Sequence, residues 1–241
     1  MAQSSIPSSG GNVLAVSEPP AFSPVRFWLK IGAVLAVALG CIWFLQWGTM
    51  RRPLQKAEQL PVYKTVRNDI TVLDRSGASI NTTDLNGKVT AMAYVYTKCS
   101  KGCAGVVAHQ IKLRDTFARE PDFQLVSVAV GADQDTPDVL KAFSSAHGVT
   151  EKDPWWFLTG DEAKLRRFMT DELGLEPTRD VPPDERLNPL DLYEHDLRVV
   201  LLDRSRRVRG YYAVQSVDPA TAQMAQERLD RDIRQLLEKG Q

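Results

Sequence analysis

Cysteine and histidine are both scarce in this chain. Its 241 residues include three cysteines, at positions 41, 99 and 103, and three histidines, at 109, 147 and 195. Three cysteines are too few for the disulfide framework of a stapled fold. Net charge is absent as well, since 30 Lys and Arg offset 30 Asp and Glu. No stretch is basic enough to follow a phosphate backbone, which sets nucleic acid aside as a partner. No internal repeat is evident. The hydrophobic share of 43% and the charged share of 25% are ordinary globular values. A tail, a membrane segment and one soluble domain of roughly 170–180 residues account for the length.

One long apolar run stands out. Ile31 to Leu45 carries neither charge nor proline, and with the flanking aromatics it reaches about the 20 residues a membrane helix needs. Trp28 at one end and Trp43 and Trp47 at the other suit interfacial anchors, and Arg51 and Arg52 stop the segment. A cleaved leader would end in small residues, whereas this run ends Ile42-Trp43-Phe44-Leu45. Ala38-Leu39-Gly40-Cys41 faintly resembles a lipoprotein cleavage site, yet apolar residues continue past the cysteine. An uncleaved anchor over 26–48 is therefore expected, and Cys41 within it should behave as a small inert hydrophobe. Residues 1–25, rich in Ser, Pro, Gly and Ala, are expected to be a disordered tail, and 49–68 a linker. Arg26 and Lys30 on one flank and Arg51, Arg52 and Lys56 on the other leave the orientation open.

From residue 69 to 241 the pattern is that of an α/β domain. Short strands are expected at Ile70–Leu73 and Trp155–Leu158, and buried ones at Val89–Tyr96 and Phe123–Val130. Helices are expected over Cys103–Arg119, Thr136–Ala146, Asp161–Met169 and Pro219–Lys239. Leu197–Leu202 and Val208–Tyr212 flank the turn Asp203-Arg204-Ser205-Arg206 and read as a hairpin. A proline-rich loop fills 177–189. Strands alternating with helices and closing in a hairpin indicate one sheet covered by helices.

The chemistry concentrates at Cys99-Ser100-Lys101-Gly102-Cys103, where a buried strand leads into a helix. Residues four apart share one side of a helical turn, so both sulfurs can point at one centre. The helix start and the flanking Lys98 and Lys101 are expected to favour the thiolates, soft ligands that select Cu(I). A third ligand has few sources. His109 lies six residues past Cys103, which points it away from the sulfurs and suits a solvated surface position. His147 ends a helix, where the dipole alone accounts for it. His195 sits in a loop between Glu194 and Asp196, as a ligand or as a histidine hydrogen-bonded to a neighbouring carboxylate; sequence alone leaves both open. Met92 and Met169 fall in strand and helix patterns and read as core.

At these residues the chain resembles the Sco/SenC family of thioredoxin-like copper proteins associated with cytochrome c oxidase assembly. The likeness runs from about Ile70 to Tyr212 and rests on four segments in order. They are Tyr96-Thr97-Lys98-Cys99-Ser100-Lys101-Gly102-Cys103, Val128 to Pro137, Trp156-Phe157-Leu158-Thr159-Gly160, and Tyr193-Glu194-His195-Asp196 ahead of Val199–Asp203. The chain departs from the family at Ala104, where proline is usual, at Glu194 and Asp196 around the histidine, and at Gly131-Ala132. The resemblance implies a thioredoxin-like fold with an N-terminal transmembrane helix, and a single-pass protein of the cytoplasmic membrane with its soluble domain outside. It implies a copper ligand set of Cys99, Cys103 and His195, the two cysteines also able to form a redox disulfide. Beside that set, Glu194 or Asp196 is expected to orient the ring as a supporting carboxylate, with Asp133 as a further candidate. The implied function is that of a metallochaperone passing Cu(I) or Cu(II) to an apo copper protein, a respiratory oxidase subunit. Two other classes use the same residues differently. A thiol–disulfide oxidoreductase needs the cysteines and not His195, although C-x-x-C is its commoner spacing. A thiol peroxidase needs one low-pKa cysteine in a polar network.

Overall fold

The seven-residue strands β4 (Val89–Val95) and β5 (Phe123–Ala129) are buried along their whole length in the computed structural model. That is the behaviour of near-continuous apolar runs covered on both faces. The structure describes residues 24–50, 59–99, 102–186 and 188–238, with side chains through Phe44 in the first of these stretches. Most of the expected tail, the Arg51–Arg52 stop, Ser100, Lys101 and Lys239 lie outside the described residues. The chain divides into two units, 1–56 and 57–241.

Among the described residues, the first unit contains one helix, α1 (Pro24–Met50). Its segment Pro24–Phe44 is long and apolar enough to cross a membrane, with a mean hydropathy of 2.0. A helix satisfies its own backbone groups, the condition lipid imposes on a spanning segment.

The second unit is built on an eight-stranded mixed sheet. It comprises β1 (Lys64–Thr65), β2 (Thr71–Asp74), β3 (Ser79–Asn81), β4, β5, β6 (Trp155–Thr159), β9 (Val199–Leu202) and β10 (Arg207–Tyr212), in the order β1-β10-β9-β4-β5-β6-β2-β3. The β4–β5 and β5–β6 pairs are parallel, with Ala93 opposite Ser127 and Val126 opposite Trp156. The pairs β4–β9, β9–β10, β1–β10, β2–β6 and β2–β3 are antiparallel. Helix α2 (Cys103–Phe117) makes the crossover from β4 to β5 that a parallel pair requires.

Strand alternation sorts the core into two layers. Val89, Ala91, Ala93 and Val95 face Val106, Leu113 and Phe117 of α2, Leu140 of α3 (Pro137–Ala146), and Leu229 and Ile233 of α5 (Pro219–Glu238). Met92 and Tyr94 join the opposite cluster with Leu165 of α4 (Glu162–Arg167), Phe168 and Met169 of the π-helical turn that continues it, and Leu173 just after that turn. Met92 and Met169 are thus core residues, as expected. The result is a thioredoxin-like sheet with helices on both faces.

Two short elements run through segments that carry no period. Lys64 and Thr65, within the expected linker, pair with Val208 and Arg207, and Val66 beside them is buried. In and just after the proline-rich loop, β7 (Arg179–Asp180) pairs with β8 (Tyr193–Glu194), Arg179 opposite Glu194. This second ribbon ends immediately before His195.

Candidate metal centre

The strand β4 delivers the chain to Thr97, and Thr97 is clamped. Its hydroxyl donates to Asp135 Oδ1 at 2.5 Å and its N–H points at both carboxylate oxygens, at 3.3 and 3.4 Å. Asp135 is fully buried on the turn after β5. Burial raises its carboxyl above the ordinary range, and the Thr97 hydrogen bonds pull part of the way back. Past Thr97 the Cys99 N–H donates to the Tyr96 carbonyl at 3.1 Å, and α2 starts at Cys103 with no side chain capping it. Gly102 brings the backbone close to Leu197 at this start: a Cβ there would stand 2.6 Å from Leu197 Cδ1, and that side-chain end would have to shift. Leu197 follows His195 by two residues, so the histidine loop lies against the cysteine loop here.

His195 is held through its other nitrogen. Nδ1 lies 2.9 Å from the Asp196 carbonyl oxygen, which can only accept, so Nδ1 carries the proton and Nε2 presents its lone pair. Nε2 is 3.1 Å from Cys103 Sγ. The Tyr94 ring packs edge-on against the imidazole, centroids 5.6 Å apart. The ligand atoms of Cys99, Cys103 and His195 lie within 4.8 Å of one another. Cys103 is buried, while Cys99 and His195 are half-buried, so the cluster is approached from solvent on their side.

The electrostatics correct one expectation. The helix start was to favour the thiolates, yet the Cys103 thiol is pushed far up, first by the hydrogen bond to neighbouring Cys99 and then by burial. Two sulfurs this close cannot both carry charge without a cation between them, and a helix start does not outweigh that. The metal-free pair therefore keeps a proton, and a soft cation would displace it.

The supporting carboxylates also sort differently from expectation. Glu194 is exposed and receives the Arg179 guanidinium at 2.6 Å. The Asp196 carboxylate is taken up by Arg198, at 2.5 and 3.0 Å, and by the Glu176 N–H at 3.0 Å. Burial alone would raise the Asp196 carboxyl, but these donors outweigh it and hold it below the usual range. It is the main-chain carbonyl of Asp196, not a carboxylate, that orients the ring. Asp133 is exposed, and the buried carboxylate two residues on, Asp135, holds the cysteine loop. Asp135-Thr136-Pro137 reads in sequence as a helix start; since Thr136 is the cap, an acid just before the cap was the available signal that Asp135 has another task.

His109 also departs from expectation. It is 3% exposed rather than solvated, because α5 covers that side of α2: Asp230 Oδ1 is 3.8 Å from its Nε2. His147 stands where expected, exposed at the C-terminal cap of α3.

Comparison with known proteins places this geometry among relatives. The SCO1/SenC family model matches residues 60–230. The SCO1 protein homolog of Bacillus subtilis (strain 168) is 29% identical over 100 residues, 41% of this chain, and the match spans about half (51%) of that relative's length. A SCO1/SenC family lipoprotein from Bacillus anthracis str. Ames superposes with a TM-score of 0.59 at 26% identity, covering 73% of this chain and 96% of that one. ScoI of Arabidopsis thaliana, solved with copper bound, superposes with a TM-score of 0.53 at 15% identity, covering 71% and 99%. At that identity the likeness concerns the fold.

Proposed function

Since the chain belongs to the SCO1/SenC family, we propose that it is a membrane-anchored copper metallochaperone holding its cargo with Cys99, Cys103 and His195. The observation that carries this reading is the convergence of two sulfurs and one imidazole nitrogen within 4.8 Å, across 92 residues of sequence between Cys103 and His195. Two soft sulfurs and a borderline nitrogen suit Cu(I), and three ligands leave room for a ligand from a recipient. The copper bound by the Arabidopsis relative is consistent with that cargo. Release follows by ligand exchange: a recipient's thiol or imidazole enters on the side of half-buried Cys99 and His195, and the proton returns to Cys103 as copper leaves. The recipient on this reading is an apo copper protein, a respiratory oxidase subunit. On this reading the segment Pro24–Phe44, the one span long and apolar enough to cross a membrane among the described residues, is the anchor of a single-pass protein whose soluble domain lies outside the cytoplasmic membrane.

The reduced full-length chain in detergent is expected to bind one copper ion with high affinity. Oxidising Cys99 and Cys103 to a disulfide is expected to abolish that binding. Copper retention unchanged by oxidation would rule the reading out.

A further inference from the structure

A second group of ligand-type side chains lies on the other flank of α2. His109 is 3% exposed, and neither ring nitrogen has a hydrogen-bond partner among the described residues. Asp230 Oδ1 is likewise buried without one, 3.8 Å from His109 Nε2. Both residues line a cavity of about 680 Å³ between α2, α5 and the segment after β10, together with Lys112, Gln215, Gln226 and Glu227. A buried polar atom left without a partner costs about 1–3 kcal/mol, and here two such atoms, His109 Nε2 and Asp230 Oδ1, stand 3.8 Å apart at the wall of this cavity.

We propose that this cavity is a second metal site, for a borderline divalent ion such as Zn(II) or Cu(II), with His109 Nε2 and Asp230 Oδ1 as its protein ligands. Imidazole with carboxylate is the donor set of such ions, and the absence of sulfur turns away Cu(I). The 3.8 Å separation is what two metal–ligand bonds of about 2.0–2.2 Å span at a wide angle, near 130°. Glu227, three residues before Asp230 on α5, lines the same cavity but receives Gln223 Nε2 at 2.8 Å, so it is not counted among the ligands. Burial holds the imidazole neutral down to about pH 4, so no proton competes for the ligand at neutral pH. Lys112 and Arg234 oppose a further positive charge near Asp230, so this site is weaker than a two-thiolate centre. His109 is six residues from Cys103, about 9 Å along the helix axis, so the two sites are distinct. The assignment does not rest on the copper reading of Cys99, Cys103 and His195.

The test uses the untagged full-length chain in detergent with Cys99→Ser, Cys103→Ser and His195→Ala, which silences the other site. Equilibrium dialysis against Zn(II), and separately Cu(II), is expected to retain one equivalent. Adding His109→Gln is expected to weaken retention at least about ten-fold. The Cu(II) form is expected to show electron paramagnetic coupling to one imidazole nitrogen, lost in His109→Gln. Asp230→Asn keeps side-chain shape on a partly exposed helix position, and is expected to weaken binding with an unchanged helical circular dichroism signal. No retained metal, retention equal with and without His109, or a Cu(II) spectrum lacking imidazole coupling overturns the assignment; a cavity holding only water gives the first of these.

Discussion

The two stretches of α2 hold their histidines in opposite ways. At its N-terminus Cys103 meets His195, which arrives from 92 residues away, half-buried, with Nδ1 satisfied and Nε2 free to bind. At mid-helix His109, only six residues from Cys103, is buried on another flank with neither nitrogen hydrogen-bonded among the described residues. Nearness in sequence therefore says little about which imidazole serves the sulfurs. What decides is the ribbon β7–β8, the Gly102–Leu197 contact and the Asp196 carbonyl, which together aim one ring. The sharpest way to break the contrast is His195→Ala. Copper affinity of the reduced chain is expected to fall by more than about 100-fold, since even residues supporting a ligand are worth 10–100-fold. The rate at which the dithiol attacks a model disulfide is expected to stay within a few-fold, because that step depends on thiolate fraction, leaving group and access. Equal copper retention by wild type and variant would transfer the function to thiol–disulfide exchange.

Asp135 carries the next effect. Asp135→Ala leaves the Thr97 hydroxyl and N–H without their buried acceptor, a loss of about 1–3 kcal/mol of stability in denaturant titration. Because Thr97 precedes Cys99 by two residues, copper affinity is expected to drop about ten-fold as well. Asp135→Asn retains one acceptor oxygen and should recover part of both. If stability falls while affinity holds, the clamp is structural only.

How much of this was legible before the fold was known follows from what leaves a pattern. The core strands β4 and β5 appear as apolar runs because both of their faces are covered. The helices α3 and α5 appear through Pro137 and Pro219 in their first turns, and the hairpin through Asp203-Arg204-Ser205-Arg206. The cysteine pair is local and visible. Two-residue strands such as β1 and β7 have no period to detect, and β7–β8 sets the histidine's position. The burial of His109 is invisible from α2 alone, since it is caused by α5, more than a hundred residues later. The raised Cys103 thiol escaped for a similar reason: spacing shows the helix start but not how close the second sulfur stands.

The His109 environment gives the contrast a pH signature. Burial, and then Lys112, lower its pKa from 6.5 to about 4. Above pH 6.5 the ring is neutral in both folded and unfolded chains and burial carries no charge penalty. Between 6.5 and about 4 the unfolded chain takes up the proton and the folded one does not, so stability falls with pH; below 4 both are protonated and the fall stops. Asp230 faces the ring from α5, and its raised carboxyl contributes in the opposite sense near the bottom of that window. The measurable quantity is therefore the difference between wild type and His109→Phe in metal-free buffer. That variant is expected to lose a pH-dependent component on the order of 3 kcal/mol between pH 7 and 4. Superimposable stability curves from pH 7 to 4 would mean that the imidazole is hydrated.

The smallest effect falls on the residue that adjacency to His195 makes most prominent. Glu194 precedes the ligand directly, which in sequence suggests a carboxylate steering the ring. In the fold its side chain turns outward to Arg179, with Arg179 also reaching Glu185 at 3.1 Å, all three exposed. An exposed ion pair contributes little, because water competes for each partner. Glu194→Gln keeps the strand residue and the shape, removes one charge from a solvated network, and leaves the Asp196 carbonyl on Nδ1. Copper affinity is accordingly expected to change less than about two-fold, and the denaturation midpoint to stay unchanged. Asp196→Ala is the informative companion. It releases Arg198 and the Glu176 N–H from one carboxylate and so disturbs the loop whose carbonyl holds the imidazole. Its effect on copper affinity should exceed that of Glu194→Gln by several-fold. A ten-fold loss in Glu194→Gln would show that charge beside the ring, and not the main-chain carbonyl, sets the ligand.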